Sequence, residues 1–140
     1  MRDRKAFIDT NVLLYLMSAD TAKADRAESI VQSGGSISVQ VLNEMASVAR
    51  RKLDMSWTEI GEVITLIRSL CSTEPLTIET HDRGRLIAER YHLSVYDAMI
   101  VAAALIAECE VLYSEDMQDG MLISGNLCIL NPFAGDAPRE

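Results

Sequence analysis

Asp9, Glu44, Asp97 and Asp116 are the residues of this chain whose types and spacing could do chemistry together. Asp9 follows the short apolar run Ala6-Phe7-Ile8, and Asp116 follows Val111-Leu112-Tyr113. Glu44 falls early in the helix after a second strand, and Asp97 in the first turn of an almost wholly apolar helix. In a parallel sheet these points all lie at the carboxyl edge, where residues distant in sequence converge and ligands bind. Four carboxylates sharing one cleft raise one another's pKa. Mg²⁺ or Mn²⁺, hard cations that prefer oxygen ligands, relieve that repulsion, and Mg²⁺ keeps several waters. The matching chemistry is metal-assisted displacement at phosphorus.

Each acid also has a plainer use. Asp before an apolar run is a common helix N-cap, which suits Asp9. Glu44 borders its helix stripe and would serve as a solvated flank. Ser94-x-x-Asp97 is a capping-box pattern, and Asp116 lies in a polar turn. The plain use is weakest for Asp97: the helix behind it is apolar all round, and a carboxylate at a buried helix mouth needs a partner.

The elements that must position these acids alternate. Strands are expected at 6–8, 36–39, 74–78, 111–113 and 127–130. Helices are expected at 12–17, 22–32, 41–53, behind a Ser56/Glu59 capping box, at 79–91 and at 94–109. Pro75 marks the third strand as an edge strand. This alternation predicts an α/β fold, with a parallel five-stranded sheet covered by helices on both faces and right-handed crossovers.

With 140 residues, the chain is the size of one domain and buries roughly two-thirds of its unfolded surface. Residues 1–133 are expected to form that domain and 134–140 a frayed tail. No apolar run is long enough for a membrane span, and the basic N-terminus lacks a signal-peptide core, so a cytoplasmic location is expected. A net charge of −8 argues against binding nucleic acid over the whole surface, though not against a nuclease whose acids are gathered on a cation. Cys71, Cys109 and Cys128 read as reduced buried thiols, and His81 and His92 as surface or packing residues.

The segments FIDTNVLLY, VLNE, SVYDAMI and LYSEDMQDG resemble those of the PIN-domain ribonucleases, specifically the VapC toxins of bacterial toxin–antitoxin pairs. The resemblance runs from Phe7 to Phe133, with the four motifs in the family's order. It implies a three-layer α/β/α fold with sheet order 3-2-1-4-5. It implies Asp9, Glu44, Asp97 and Asp116 as the acidic quartet of a metal-dependent endoribonuclease, supported by Thr10, Asn11 and Ser114. Mg²⁺ or Mn²⁺ would sit on Asp9, Asp97 and Asp116, with Glu44 and Asp119 as further candidate ligands. Glu115, Asp116 and Asp119 all lie where the fourth acid is expected, and Asp116 best fits the family pattern. A homodimer and an antitoxin partner are also implied.

Arg50, Arg51 and Lys52 form the densest basic run, with Arg51 on the helix face of Glu44. Arg83, Arg85 and Arg90 form a second group, and either would hold RNA phosphates or simply make a solvated face. Tyr96, beside Asp97, is a better base-stacking candidate than Trp57, which reads as a packing residue. Two other readings compete. An aspartyl-phosphate phosphotransferase uses Asp-x-Asp, but here Asn11 stands where the second Asp belongs. A non-catalytic PIN-like scaffold would not need the four acids.

Overall fold

The computed structural model describes residues 4–134. Apart from Ala134, which is exposed, the tail expected at 134–140 lies outside them. Six strands form one sheet, β1 (Ala6–Ile8), β2 (Gly35–Ser38), β3 (Cys71–Glu74), β4 (Val111–Tyr113), β5 (Leu122–Ile123) and β6 (Leu127–Leu130). Six helices accompany them: α1 (Thr10–Leu14), continued by a 3₁₀ turn at Tyr15–Met17, α2 (Thr21–Gln32), α3 (Val39–Arg51), α4 (Trp57–Leu70), α5 (Ile78–Tyr91) and α6 (Val95–Ile106). The strand order is β3-β2-β1-β4-β6-β5.

The fold is the expected α/β one, with a sixth strand added. The five expected strands keep the order 3-2-1-4-5 and pair in parallel. The extra strand β5 pairs antiparallel with β6 at the far edge. It arises from a tight hairpin: Asn126 N donates to Ile123 O at 3.0 Å. Between them Ser124 and Gly125 both take positive φ, 54° and 73°, as a turn matched to strand twist requires.

Other boundaries moved for local reasons. The third strand is Cys71–Glu74 rather than 74–78, because Pro75 has no N–H to continue a ladder. Thr77 and Thr80 then cap α5 reciprocally. The second strand stops at Ser38, whose hydroxyl accepts from Val41 N and so starts α3. The Ser56/Glu59 capping box forms at the head of α4 as expected.

Strand order explains where a site can form. The chain steps from β1 outward to β2 and β3, then returns across the sheet to β4. With right-handed crossovers these opposite steps place α1–α4 on one face and α5–α6 on the other. The contacts agree, since α1, α2, α3 and α4 pack among themselves and α5 packs on α6. β1 and β4 are therefore neighbours whose connections diverge, which opens a crevice at their carboxyl ends. Their register sets Ile8 beside Tyr113, so Asp9 emerges level with Ser114.

The core supports both strands. Phe7, Ile8, Leu112 and Ile129 are buried, and so is every residue of α6 from Ala98 to Ala104. Small residues let α6 lie close to its neighbours. Gly84 of α5 meets Met99 so closely that an added Cβ would fall 2.5 Å from its Sδ. Cys71 and Cys109 are buried free thiols, whereas Cys128 is half-buried. Trp57 is exposed rather than packed, with the Arg50 guanidinium over its ring. Both histidines are exposed, and among the described residues no helix is long and apolar enough to cross a membrane.

Candidate active site

Asp9 occupies the turn between β1 and α1. Its extended backbone leaves the strand, and its carboxylate accepts from Thr10 N at 2.7 Å to cap α1. Its second oxygen accepts from Ser114 Oγ at 2.8 Å and from Asn11 Nδ2 at 3.0 Å. Capping thus accounts for one oxygen of Asp9, and the other faces the end of β4. The side chain is only 3% exposed. Burial pushes its pKa up to about 6, the Ser114 and Thr10 bonds oppose the rise, and the charges of Asp97 and Glu44 add to it.

Ser114 and Asn11 assemble the β4 side. Ser114 Oγ accepts from the backbone N–H groups of Asp116 and Met117 and so shapes the turn that carries Asp116. Asn11 Nδ2 lies 3.2 Å from Asp116 Oδ2, and Asn11 Oδ1 accepts from Glu115 N at 2.9 Å. One asparagine therefore links Asp9 to Asp116 and pins the turn between β4 and β5.

Glu44 approaches from α3. Thr10 Oγ1 donates to its Oε1 at 2.8 Å, and Gln40 Nε2 donates to its Oε2 at 2.9 Å. Asp97 enters from α6, where its N–H is capped by Ser94. The carboxyl of Asp97 is held above its ordinary range, first by burial and then by the charges of Asp116 and Glu44. Asp97 thus lies near Asp116 and Glu44, and Asp9 near Asp97 and Glu44.

The other candidates for the fourth acid are engaged elsewhere. Glu115 accepts from Tyr15 OH at 2.6 Å and pairs with Lys23 at 3.1 Å. Burial alone would raise its pKa, but these two partners outweigh it and hold the carboxyl below its usual range. Asp119 accepts from Asn131 N and anchors the loop after β6. Of the proposed RNA contacts, Arg50 pairs with Asp54 at 3.5 Å and Arg51 donates to Ser47. Tyr96 is exposed beside Asp97.

Sequence reasoning missed Gln40, Tyr15 and Lys23. Gln40 had a readable signal, being a polar residue four positions before Glu44 on one helix face. The Tyr15–Lys23–Glu115 group joins three separate elements and has no local signature.

The donor set is wholly oxygen, and its acids repel one another, which suits a hard divalent cation. Among the described residues, no three His, Cys, Asp or Glu side chains close tightly enough to enclose a metal ion.

The fold and these acids define an α/β domain with carboxylates gathered at its switch point. The PIN-domain family profile matches residues 6–118, and the chain belongs to the PIN-domain family. No curated protein sequence matches the chain. Among solved structures, a toxin–antitoxin complex from Klebsiella pneumoniae aligns with a TM-score of 0.70 at 21% identity, covering 91% of this chain and 98% of that one. VapC20 from Mycobacterium tuberculosis, a toxin that cleaves the sarcin–ricin loop, aligns at 0.65 and 18%, covering 80% and 90%. VapBC2 from Rickettsia felis, solved bound to promoter DNA, aligns at 0.63 and 15%, covering 89% and 96%. At these identities the likeness concerns the fold.

Proposed function

We propose that this protein is a divalent-metal-dependent endoribonuclease and the toxin of a VapC-type toxin–antitoxin pair. One observation carries the reading: Asn11 and Ser114 tie buried Asp9 to the turn that bears Asp116, Thr10 reaches Glu44 from the same turn, and Asp97 lies close enough to feel the charges of Glu44 and Asp116. Family membership supports nuclease chemistry. Toxin–antitoxin complexes among the structural neighbours support the partner.

Bound at Asp9, Asp97 and Asp116, Mg²⁺ or Mn²⁺ would lower the pKa of a water and neutralise charge on the phosphoryl oxygens. Glu44 stands beside this set, with Asp119 too far committed to its loop to be a first choice. Ser114 and Asn11 orient Asp9, and Asn11 also aligns Asp116. Thr10 and Gln40 fix Glu44. Such outer contacts typically sustain metal affinity or activity by roughly 10- to 100-fold. Arg51 is the better-placed phosphate contact, because Arg50 already has Asp54 and Trp57. Exposed Tyr96 offers a ring for an unstacked base. An RNA substrate, a cognate antitoxin, a homodimer and a cytoplasmic location complete the reading.

The test is sequencing of RNA 5′ ends after total cellular RNA is incubated with the wild type, with and without a chelator, and with Asp9→Asn. We expect discrete new ends that need both the metal and Asp9. Identical ends from Asp9→Asn, or none from the wild type in Mn²⁺ or Mg²⁺, would overturn the assignment and favour a binding scaffold.

A further inference from the structure

The seam between α3 and α6 is closed by one amide. Gln40 is 9% exposed, and its Nε2 lies 2.9 Å from Glu44 Oε2 and 3.0 Å from the carbonyl oxygen of Tyr96. An amide nitrogen has two hydrogens in one plane, so both donors are used and their directions are fixed together. Tyr96 is the residue before Asp97. The same nitrogen therefore touches the carboxylate of one acid and the backbone that carries another.

We propose that Gln40 is a positioning residue that holds Glu44 and the first turn of α6 at a set separation. The pocket is then formed before any cation arrives. This rests on the nuclease reading, and it adds a residue that works through Glu44 without touching the reacting atoms.

Three observations support the assignment. Glu44 and Asp97 sit on helices from opposite faces of the sheet, and the Gln40 amide reaches both elements. Gln40 is neutral and donates only hydrogens to this seam, so it adds no charge to an acidic cluster. Thr10 Oγ1 occupies the other oxygen of Glu44, so the carboxylate is gripped from β1–α1 on one side and from the α3–α6 seam on the other. A glutamine that merely satisfied its own burial would not need partners in two separate parts of the site.

The test compares the wild type, Gln40→Met, Glu44→Gln and the double variant. Methionine keeps the bulk and removes both donors. Mn²⁺ affinity is measured by calorimetry without RNA, and kcat and KM on a short RNA spanning the site the wild type cuts fastest in total cellular RNA. Gln40→Met should weaken Mn²⁺ binding and lower kcat by about tenfold each, the lower end of the usual outer-contact effect. KM should stay within about twofold, because RNA contacts are untouched. In the Glu44→Gln background the same change should cost less Mn²⁺ affinity than in the wild type, because the carboxylate it aims is gone and only its hold on the Tyr96 carbonyl is left to lose. Gln40→Glu, which keeps the shape but adds a charge, should lose more than Gln40→Met and serves if methionine impairs folding. Unchanged Mn²⁺ affinity in Gln40→Met, or equal losses in both backgrounds, overturns the proposal. A wild type that binds Mn²⁺ yet leaves RNA intact overturns the nuclease reading instead, and the calorimetric cycle alone then decides Gln40.

Discussion

Asp9 and Asp97 are the same residue at the start of two helices, and the protein holds them in opposite ways. Asp9 is the N-cap of α1, almost fully buried, and surrounded by donors from Thr10, Asn11 and Ser114. Asp97 lies in the first turn of α6, half-buried. Among the described residues, the Ser94 hydroxyl is the one donor that eases its charge. Both are raised by burial first, but Asp9 is raised despite a full set of hydrogen bonds. Asp9 is thus a built-in part of the fold that carries a strained charge, whereas Asp97 is left with capacity for an outside ligand. Of the two, Asp9 is the costlier to keep charged, because its burial is the deeper.

The largest expected effect tests their shared role. Asp9→Asn and Asp97→Ala should each cut RNA cleavage by at least about a hundredfold, the upper end of what losing a mere outer contact to a metal ligand costs. A variant of either that retained wild-type turnover would remove that residue from the pocket's work.

The next effect separates them. The gap between the ordinary 3.8 and about 6 for Asp9 corresponds to about 3 kcal/mol of instability in the charged form. Asn keeps part of the hydrogen bonding, so Asp9→Asn should stabilise the metal-free fold at pH 7 by roughly 1–2 kcal/mol in urea unfolding. Asp97→Ala should keep the fold and gain less. Equal gains would erase the contrast.

The pH profile sharpens it. A carboxyl whose folded pKa is raised binds its proton more tightly folded than unfolded. Stability therefore falls as pH rises between the two values, here from about 4 to about 6 on account of Asp9. Thermal unfolding of the metal-free protein should show that decline, and Asp9→Asn should flatten it. A profile that climbs over this window in the wild type and is unaltered in the variant would contradict the burial of a charged Asp9.

A smaller shift comes from the cation itself. Millimolar Mn²⁺ should raise the melting temperature, since a ligand of the native state stabilises it. The rise should shrink in Asp97→Ala. No rise in the wild type would mean the pocket has no usable affinity. Smallest of all, Lys23→Met should barely move the urea midpoint, because a half-buried pair still open to solvent contributes little. A clear drop in the midpoint would make the Tyr15–Lys23–Glu115 group a structural anchor of the site.

Much of this was legible in the chain because each acid sits beside a strong local signal. Ala6-Phe7-Ile8 and Val111-Leu112-Tyr113 are short apolar runs that could only be buried strands, so the residues after them fall at the sheet edge. The all-apolar α6 marked Asp97 in the same way. What was not legible depends on tertiary contact. The two-residue strand β5 has no periodicity to read and exists because Ser124-Gly125 turns it back onto β6. The start of β3 was hidden because Cys71-Ser72-Thr73 continues directly from a helix and takes its conformation from pairing with β2. Trp57 looked like a core residue by type, yet α4 turns it outward.

The sheet's two borders bear on how the molecule meets other proteins. One border is β3, four residues closed by Pro75, and the other is β5, two residues long. Neither offers enough free backbone for an incoming strand to zip onto, and short borders of this kind discourage runaway stacking. Most of the large apolar side chains left open to solvent lie on helices instead. α4 is prominent there, with Trp57 66% and Leu66 60% open to solvent.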